Sequence, residues 1–545
     1  MSEVANPTAR TRERTRTAVP ESVDVAIVGA GTGGLTAAAY LLQQGLSVAL
    51  FDQHYVAGGC ATQFSRGPAD ARYCFDIGLH YVGDTDDDGV LPRLLGEMGV
   101  QQEFVPMDQD GFDHLIFPEY RFAVPARRED FRARLVADFP AERKGIDHYM
   151  RFLAQVDTVA NVFRKSDGDM TFAALMTILF KAPQVARYKK ATLKDLLDDC
   201  TRDPKLRAVL AGQHGIYGLP PNEVSAPFHA AIVNHFFHGV GYPKGGGQAI
   251  SDKLADRVEE LGGTIHLRRG VERILMEDGR AVGLVTEPWK GESHTVRARA
   301  VLSNADVKAT LFDLVGAQHL PSKYAKSADA WTYPAALFLT CLGVKADLGE
   351  LGMGAANYWI SDDYDLDTAY ARGREAGAYE PQGAYITSAS LKDPDTPGHS
   401  PDGVHSLEVM TLFPGAPSFW GFDGDDTEAW RYRRDEQYSE TKLAIEDKLI
   451  DRLEGLFPGT KEHIVFRESA SPLSHIRYTR ANAGTGYGIA VTPDQFHEQR
   501  PHPRSPVRGL YLCGASTRQS FGIMGTMMGG RDAARRIGED LGTWR

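Results

Sequence analysis

The 545-residue chain carries 60 Lys and Arg against 72 Asp and Glu, a formal net charge of −12. This acidic balance argues against bulk nucleic-acid binding, which requires a basic surface, and the length predicts two or three structural units. The five cysteines are scattered without a CxxC pair. We therefore expect neither a disulfide framework nor a metal site, and we expect a reducing, cytoplasmic location.

The first twenty residues are polar and Arg-rich, and they lack the apolar stretch of a secretory signal. Residues 1–20 are therefore predicted to be a disordered leader. No apolar run reaches the roughly 20 residues that a spanning helix needs, so any membrane contact is expected to be peripheral.

The segment VDVAIVGAGTGGLTAAAYLLQQGLSVALFD predicts a strand, a glycine turn, a helix and a second strand in succession. Gly29 permits a tight turn, Gly31 lets the backbone approach a pyrophosphate, and Gly34 lets the helix pack closely on the strand. Asp52 ends the second strand, where a carboxylate would bind a ribose hydroxyl pair. This order predicts a dinucleotide site.

The acid at position 52 favours FAD or NAD over NADP, because it suits a free ribose. Beyond Asp52 the chain does not continue with another strand–helix repeat. It runs instead through Gly58 and Gly59 into an irregular polar segment, where small residues would let the backbone lie beside a bulky cofactor. FAD is therefore the predicted cofactor.

The stretch DQHYVAGGCATQF, followed by FDIGLHYVG, resembles the phytoene desaturase, carotenoid isomerase and retinol saturase superfamily of FAD enzymes. The QH, AGGC and GLHYVG details look most like the retinol saturase and carotenoid isomerase branch. Residues 241–287, the VLSNAD motif and the closing segment RGLYLCGASTRQSFGIMGTMMGG are similar to this family as well.

This resemblance implies an α/β fold with a discontinuous Rossmann-like FAD-binding domain. That domain would comprise residues 21–90, 240–310 and 465–545. Residues 91–239 and 311–464 would form an inserted α+β substrate domain with a mixed or antiparallel sheet and lid helices. The segments WTYPAALFLTCLGV and VHSLEVMTLFP predict strands of a sheet that roofs a long apolar cavity.

The resemblance also implies a set of cofactor-binding residues along the length of FAD. They are Gly29, Gly31, Gly34 and Asp52 at the ADP half, Gly58, Gly59 and Cys60 along the pyrophosphate and ring, Val271 at the adenine, Gly514 and Ala515 at the pyrophosphate end, and Gly525, Thr526 and Met527 near the ring. Met527 and its neighbours Met524 and Met528 suit either a soft floor for a lipid chain or helix packing.

Three residues are candidates for proton transfer during catalysis. His80 and Tyr81, in GLHYVG, could face the ring or a substrate headgroup and relay a proton during reduction of a double bond. Tyr487, in GTGYG, is a candidate of the same kind. A hydrogen-bonded structural role is the alternative for His80. Cys60 is interpreted as a small residue packed near the cofactor, since no resolving cysteine or cationic neighbour is evident.

The resemblance implies an FAD-dependent oxidoreductase that acts on C=C bonds of a long apolar polyene or isoprenoid lipid. Saturation or cis–trans isomerisation is favoured, and desaturation is the alternative. A prenyl-lipid carrier resembling Rab GDP-dissociation inhibitors is an alternative of another class, and an amine or amino-acid oxidase is a third. No nucleic-acid partner is expected.

Residues 170–190 join an apolar segment, MTFAALMTILF, to a basic one, KAPQVARYKK. An apolar helix with a basic flank can lie in a membrane interface. A buried helix of the substrate domain that ends at Pro183 is an equally good interpretation.

Overall fold

The computed structural model describes Arg14 and residues 17–68, 71–165, 172–375, 377, 379–422 and 431–544. Of the predicted disordered leader, residues 1–13, 15 and 16 lie outside these ranges. Arg14 departs from the predicted disorder, because its buried guanidinium pairs with Asp256 and Glu259 at 2.9 Å each. Two opposite charges thus hold this residue against the folded protein.

A seven-stranded sheet in the described part of the chain unites the three segments predicted to bind the cofactor. Its strands, in spatial order, are β10 (Thr264–Leu267), β2 (Val48–Asp52), β1 (Ser22–Val28), β13 (Thr295–Ser303), β12 (Arg280–Thr286) and β11 (Val271–Glu277), and β19 (Leu510–Leu512) pairs with β13. Strand β1 runs parallel to β2 and β13, and its residues 25–28 are buried. An apolar central parallel strand of this kind is covered on both faces, which confirms the Rossmann-like part of the predicted fold.

A second sheet, also seven-stranded over the described residues, is mixed but mostly antiparallel. Its strands, in spatial order, are β18 (Ile464–Ala470), β14 (Ala336–Val344), β17 (His405–Phe413), β16 (Gly383–Thr387), β15 (Asn357–Ser361), β7 (Asp113–Phe117) and β8 (Tyr120–Val124). Strand β18 corrects one predicted boundary. Although residues 465–545 are predicted to belong to the cofactor domain, β18 completes the edge of this second sheet by pairing with β14.

Two small sheets and a set of helices complete the described structure. The small sheets contain β3 (Gln63–Arg66) with β4 (Tyr73–Asp76), and β5 (Val82–Gly83), β9 (Val240–Pro243) and β6 (Phe104–Pro106). The helices are α1 (Thr32–Gln43), α2 (Val90–Glu97), α3 (Arg128–Asp138), α4 (Arg143–Lys165), α5 (Phe172–Lys181), α6 (Pro183–Tyr188), α7 (Leu193–Cys200), α8 (Pro204–Ala211), α9 (Ala226–Phe236), α10 (Gly247–Glu260), α11 (Ser322–Asp329), α12 (Leu366–Gly373), α13 (Ala389–Lys392), α14 (Glu436–Leu456), α15 (Pro472–Thr479) and α16 (Gly522–Leu541), with a π-helix at Ala309–Gly316.

Close backbone contacts fix the turn between β1 and α1. Gly29 has φ +92°, a left-handed conformation that glycine adopts without strain. A Cβ atom added at Gly34 would lie 2.3 Å from the carbonyl oxygen of Gly29. One added at Gly530 of α16 would lie 2.2 Å from the carbonyl oxygen of Gly33. The absence of side chains therefore lets β1, α1 and α16 pack backbone to backbone.

We expect Gly34→Ala to destabilise the protein by about 1–3 kcal/mol, because the added methyl group overlaps backbone that cannot rotate away. Thermal unfolding of the purified protein measures this loss. Gly96→Ala in α2 is the matched control, since a Cβ atom there meets nothing within 4 Å. Equal melting temperatures for the two variants would contradict the packing argument.

Candidate functional site

A cavity of about 2420 Å³ extends from the glycine turn after β1 to the inner face of the second sheet. Binding pockets for one small molecule typically enclose about 300–1,000 Å³. The cavity is therefore large enough for a dinucleotide cofactor and a second, extended ligand.

Most of the predicted cofactor-binding residues line this cavity. They are Gly29, Gly31, Asp52, Gly58, Gly59, Cys60, Val271, Gly514, Ala515, Gly525 and Thr526. Gly34 does not, because it lies at the contact between α1 and the turn. Met527 departs from the predicted contact with the ring: its side chain is fully buried in the core beside the first sheet, whereas Met524 and Met528 line the cavity.

Helix α1 begins at the cavity wall and presents its first backbone N–H groups there. Gly31 is the N-cap, and no described side chain caps the helix. Unpaired N–H groups at a helix N-terminus favour an anion. A Cβ atom at Gly31 would lie 2.9 Å from the side-chain nitrogen of Asn304, so glycine keeps this cradle open. These features fit the pyrophosphate of FAD.

Asp52 connects the end of β2 to the glycine turn. Its Oδ2 accepts the N–H of Ala30 at 2.7 Å, and its Oδ1 accepts the N–H of His54 at 2.8 Å. A carboxylate offers about four acceptor positions, so Asp52 keeps acceptor capacity toward the cavity that it lines. The position of Asp52 suits the predicted hydrogen bond to a ribose, and that bond stays a prediction.

Gly58 and Gly59 bring the segment after β2 against the glycine turn. Gly58 has φ +128°, and its N–H donates to the carbonyl of Ala30 at 2.8 Å. A Cβ atom at Gly59 would lie 3.2 Å from the Cα of Gly31. The AGGC motif therefore forms cavity wall directly beside the phosphate cradle, and Cys60 follows at its edge.

Asn304, which sequence reasoning did not single out as a site residue, lies at the centre of the cofactor site. Added Cβ atoms at Gly31, Gly33 and Gly514 would lie 2.9, 2.6 and 2.8 Å from its side-chain amide atoms. The thiol of Cys513 donates to its Oδ1 at 3.4 Å. The VLSNAD motif marked this position in the sequence, but only the packing shows that one amide meets both glycine motifs.

His80 lines the cavity, as predicted, but its imidazole is held neutral. Burial, helped by the ammonium of Lys392, lowers the pKa of His80 to about 3. Its Nε2 has no hydrogen-bond partner among the described residues, and its ring centroid lies 5.8 Å from that of Tyr385. Proton donation by an imidazolium at this position is therefore disfavoured.

Tyr81 and Tyr487 also line the cavity, and each phenol already has an acceptor in the protein. The Tyr81 hydroxyl donates to Oδ2 of Asp113 at 2.9 Å, and its ring stacks on Phe236 with centroids 4.8 Å apart. The Tyr487 hydroxyl donates to the carbonyl of Gly215 at 2.9 Å. Both arrangements fit a structural role better than proton transfer to a substrate.

A buried polar network stands behind the cavity wall, and nothing in the sequence indicated it. The Lys392 ammonium donates to the backbone carbonyl of His80 and to the Thr387 hydroxyl. Burial lowers the pKa of Lys392, although the nearby carboxylate of Glu408 opposes this effect. The network fixes the backbone of the GLHYVG segment from outside the cavity.

Asp113 anchors the other side of this segment. Besides Tyr81, it accepts the side-chain amides of Gln213 at 2.7 Å and Asn357 at 2.9 Å. Burial raises the pKa of Asp113 to about 6, although these three donors oppose the shift.

The inner face of the second sheet forms an apolar, aromatic roof over the cavity. Leu339 and Cys341 of β14, Met410 of β17, Tyr385 of β16 and Trp359 of β15 all line it. The rings of Trp359 and Tyr385 lie 4.3 Å apart between centroids. The prediction that the segments containing β14 and β17 roof an apolar cavity is confirmed.

The 172–190 segment contains helices α5 and α6 and the two lysines that follow α6. Its residues Ile178, Val185, Lys189 and Lys190 also line the cavity. The side chain of Phe180, in the same segment, is 77% exposed. Residues 170 and 171 of the predicted membrane-contacting segment lie outside the described ranges. Within those ranges, no helix has both the length and the apolar character needed to cross a membrane.

Comparison with known proteins agrees with this geometry. The family model described as flavin containing amine oxidoreductase matches residues 32–339. All-trans-retinol 13,14-reductase of Danio rerio is 28% identical over 515 residues, covering 91% of this chain and 83% of that protein. The chloroplastic prolycopene isomerase of Daucus carota is 24% identical over 534 residues, covering 95% of this chain and 80% of that protein.

Solved structures share the fold at low sequence identity. An oxidoreductase from Methanosarcina mazei superposes with a TM-score of 0.59 at 18% identity, covering 93% of this chain and 99% of that one. Putrescine oxidase bound to putrescine superposes with a TM-score of 0.59 at 15% identity, covering 96% and 99%. These likenesses support the two-sheet architecture.

Asp113 is expected to make folding stability depend on pH. Its folded-state pKa of about 6 exceeds the value of about 3.9 for an unfolded aspartate. Between these values the folded state keeps the proton and the unfolded state releases it. The contribution of Asp113 to stability is therefore fully present below about pH 4 and falls by about 1.4 kcal/mol per pH unit as the pH rises toward 6.

Urea unfolding of the wild type and Asp113→Asn at about pH 4, 5 and 6 isolates this group, because asparagine does not ionise. The free energy of unfolding of the wild type, relative to the variant, should decrease across the series. A difference that is independent of pH would show that Asp113 does not titrate in this window.

Proposed function

Because the chain belongs to the flavin-containing amine oxidoreductase family, we propose that it uses FAD to act on C=C bonds of a long, apolar polyene or isoprenoid lipid. Saturation or cis–trans isomerisation is the favoured outcome. The aromatic and aliphatic roof over the cavity is the observation that carries this proposal. A conjugated chain would pack against Trp359 and Tyr385 and gain from removal of its surface from water.

The similarity to a retinol reductase and a prolycopene isomerase supports the same substrate class, since both names refer to polyenes. Bound FAD supplies two-electron chemistry. The residues of the chain hold the cofactor at the glycine motifs, orient an extended substrate beneath the roof and exclude water. Lys392 and Asp113 make their hydrogen bonds behind the wall, and their charged groups are therefore kept away from that substrate.

Amine oxidation is the less suitable function, although structures with this fold include amine oxidases. An ammonium substrate needs an available carboxylate or an equivalent partner. The residues that form the roof over the cavity are Leu339, Cys341, Trp359, Tyr385 and Met410, and none of these carries a carboxylate. A pure prenyl-lipid carrier is disfavoured by the complete cofactor site, and desaturation remains the alternative within the same chemistry.

The 172–190 segment is suited to draw such a lipid from an anionic membrane surface. It exposes Phe180, and its Lys189 and Lys190 line the cavity. Basic residues near an anionic surface contribute about 1 kcal/mol each. In this proposal the protein binds the membrane surface peripherally, extracts the lipid from it and then acts on the C=C bonds of the lipid in the cavity.

The first experiment is mass spectrometry of what denaturation releases from the purified protein. We expect FAD close to one per chain. The FAD-loaded protein, reduced without oxygen, is then given all-trans-retinol or a cis-carotene. A product heavier by two hydrogens shows saturation, and an isomer of equal mass shows isomerisation.

Protein stripped of FAD is the control for this experiment. Loss of two hydrogens from the lipid by the oxidised protein would favour desaturation. Oxidation of putrescine, without any change in either polyene, would overturn the proposed substrate class. Failure to bind FAD, even after reconstitution, would overturn the oxidoreductase assignment.

Membrane contact is tested with the variant Phe180→Asp and the double variant Lys189→Glu, Lys190→Glu. Each should weaken binding to vesicles containing phosphatidylserine by about tenfold or more, through loss of apolar insertion or of two cationic contacts. Cosedimentation with vesicles measures the binding. Val465→Asp is the matched control, because Val465 is 52% exposed on β18. Equal binding by all variants would exclude the 172–190 segment as the contact.

A further inference from the structure

Cys60 and His475 meet on the cavity wall although they are far apart in the sequence. The Sγ of Cys60 lies 3.7 Å from Nε2 of His475, and both residues line the cavity. A Cβ atom added at Gly486 would lie 3.5 Å from that Sγ and 3.4 Å from Cε1 of His475. The glycine at position 486 therefore leaves room for the thiol and the imidazole to lie together.

This pair lies beside the cofactor cradle. Cys60 directly follows Gly59, which packs on Gly31 of the glycine turn. On its other side, Cys60 contacts Gly78, at the start of the GLHYVG segment. The thiol thus occupies the wall between the cofactor-binding glycines and the segment that carries His80.

Reduction of a C=C bond needs a proton as well as a hydride. The hydride bonds to one carbon, and the π electrons move to the other carbon, which must then take up a proton. The phenols of Tyr81 and Tyr487 already donate to Asp113 and to the Gly215 carbonyl. Unlike these two phenols, the Cys60 thiol contacts a nitrogen, Nε2 of His475, and no described oxygen acceptor. Burial leaves His80 without an imidazolium proton to give.

We propose that the Cys60 thiol donates the proton to substrate carbon during saturation, and that His475 is the positioning residue that stabilises the resulting thiolate. This inference rests on the proposed function. With reduced FAD as the reductant, the S–H bond breaks, a C–H bond forms, and sulfur keeps the bonding electrons. In the tautomer that carries a proton on Nε2, His475 donates to that sulfur. A proton from water then restores the thiol.

The protonation states agree with this role. Burial raises the pKa of Cys60 to about 11, so the resting group is a thiol that carries its proton at neutral pH. Burial lowers the pKa of His475 to about 4, so its ring is a neutral hydrogen-bond donor. Tyr487 also interacts electrostatically with Cys60, and burial keeps its phenol protonated as well.

The first test separates saturation from isomerisation. A general acid contributes about 10²–10⁴-fold to a rate, so Cys60→Ala should lose at least about 10²-fold in the saturation rate. Isomerisation has no net proton demand and should persist. FAD content and reduction of the bound flavin by dithionite are measured on the variant, so that the rate is compared per reducible FAD. Cys74→Ala is the matched control, because Cys74 lies outside the cavity lining.

The second test does not depend on turnover. Methyl methanethiosulfonate is applied to the FAD-bound protein at several pH values, and labelling of Cys60 is followed by mass spectrometry with Cys74 as internal reference. His475→Ala should slow the labelling of Cys60 about three- to tenfold at a given pH, because the thiolate loses a hydrogen-bond donor and its pKa rises. Labelling of Cys74 should not change.

Each outcome decides between the proposals. If the wild type saturates the polyene and Cys60→Ala does so equally well, the proton-donor role is wrong and the proposed function stands. If the wild type alters no polyene, both fail. A Cys60 that cannot be labelled in the wild type, or that reacts equally fast in His475→Ala, would show that the pair does not operate as inferred.

Discussion

The whole cofactor site depends on contacts to glycine residues that are so close that they leave no room for a Cβ atom at those positions. The carboxamide of Asn304 lies between Gly31 and Gly33 of the first motif and Gly514 of the last, at distances that a methyl group at any of these glycines would violate. Segments from opposite ends of the chain therefore meet at one amide. Because this contact sets where α1 begins, it also sets where an anionic cofactor can lie.

The second sheet serves the site by separating polar from apolar atoms. Lys392 and Asp113 satisfy their hydrogen bonds behind the wall and thereby hold the segment at His80 and Tyr81. The roof can then present aromatic and aliphatic surface to the cavity. A buried charge is tolerable only when it is paired or hydrogen-bonded. The network thus lets a rigid wall face an apolar ligand without exposing charge to it.

Burial also distinguishes the chemical roles of the groups on the wall. It keeps the imidazole of His80 neutral, and the phenols of Tyr81 and Tyr487 are tied to acceptors, so the three residues that the sequence favoured for proton transfer serve better as structure. The same burial keeps a proton on the Cys60 sulfur beside a neutral imidazole. One physical effect thus disfavours the expected donors and favours a thiol.

The sequence by itself determined the cofactor half. The order of strand, glycines, helix and acid has a local geometric cause, because Gly29 adopts a left-handed turn and Gly31 is the N-cap of α1. It also indicated the roof, since the apolar character of each strand is a property of that strand alone. Other features depended on residues distant in sequence. The proximity of Cys60 to His475, the network around Lys392, the position of Asn304 and the membership of β18 in the second sheet arise only when remote segments pack. Only the tertiary structure decided these, because neither spacing nor periodicity encodes contacts made across hundreds of residues, and burial sets each pKa only after folding.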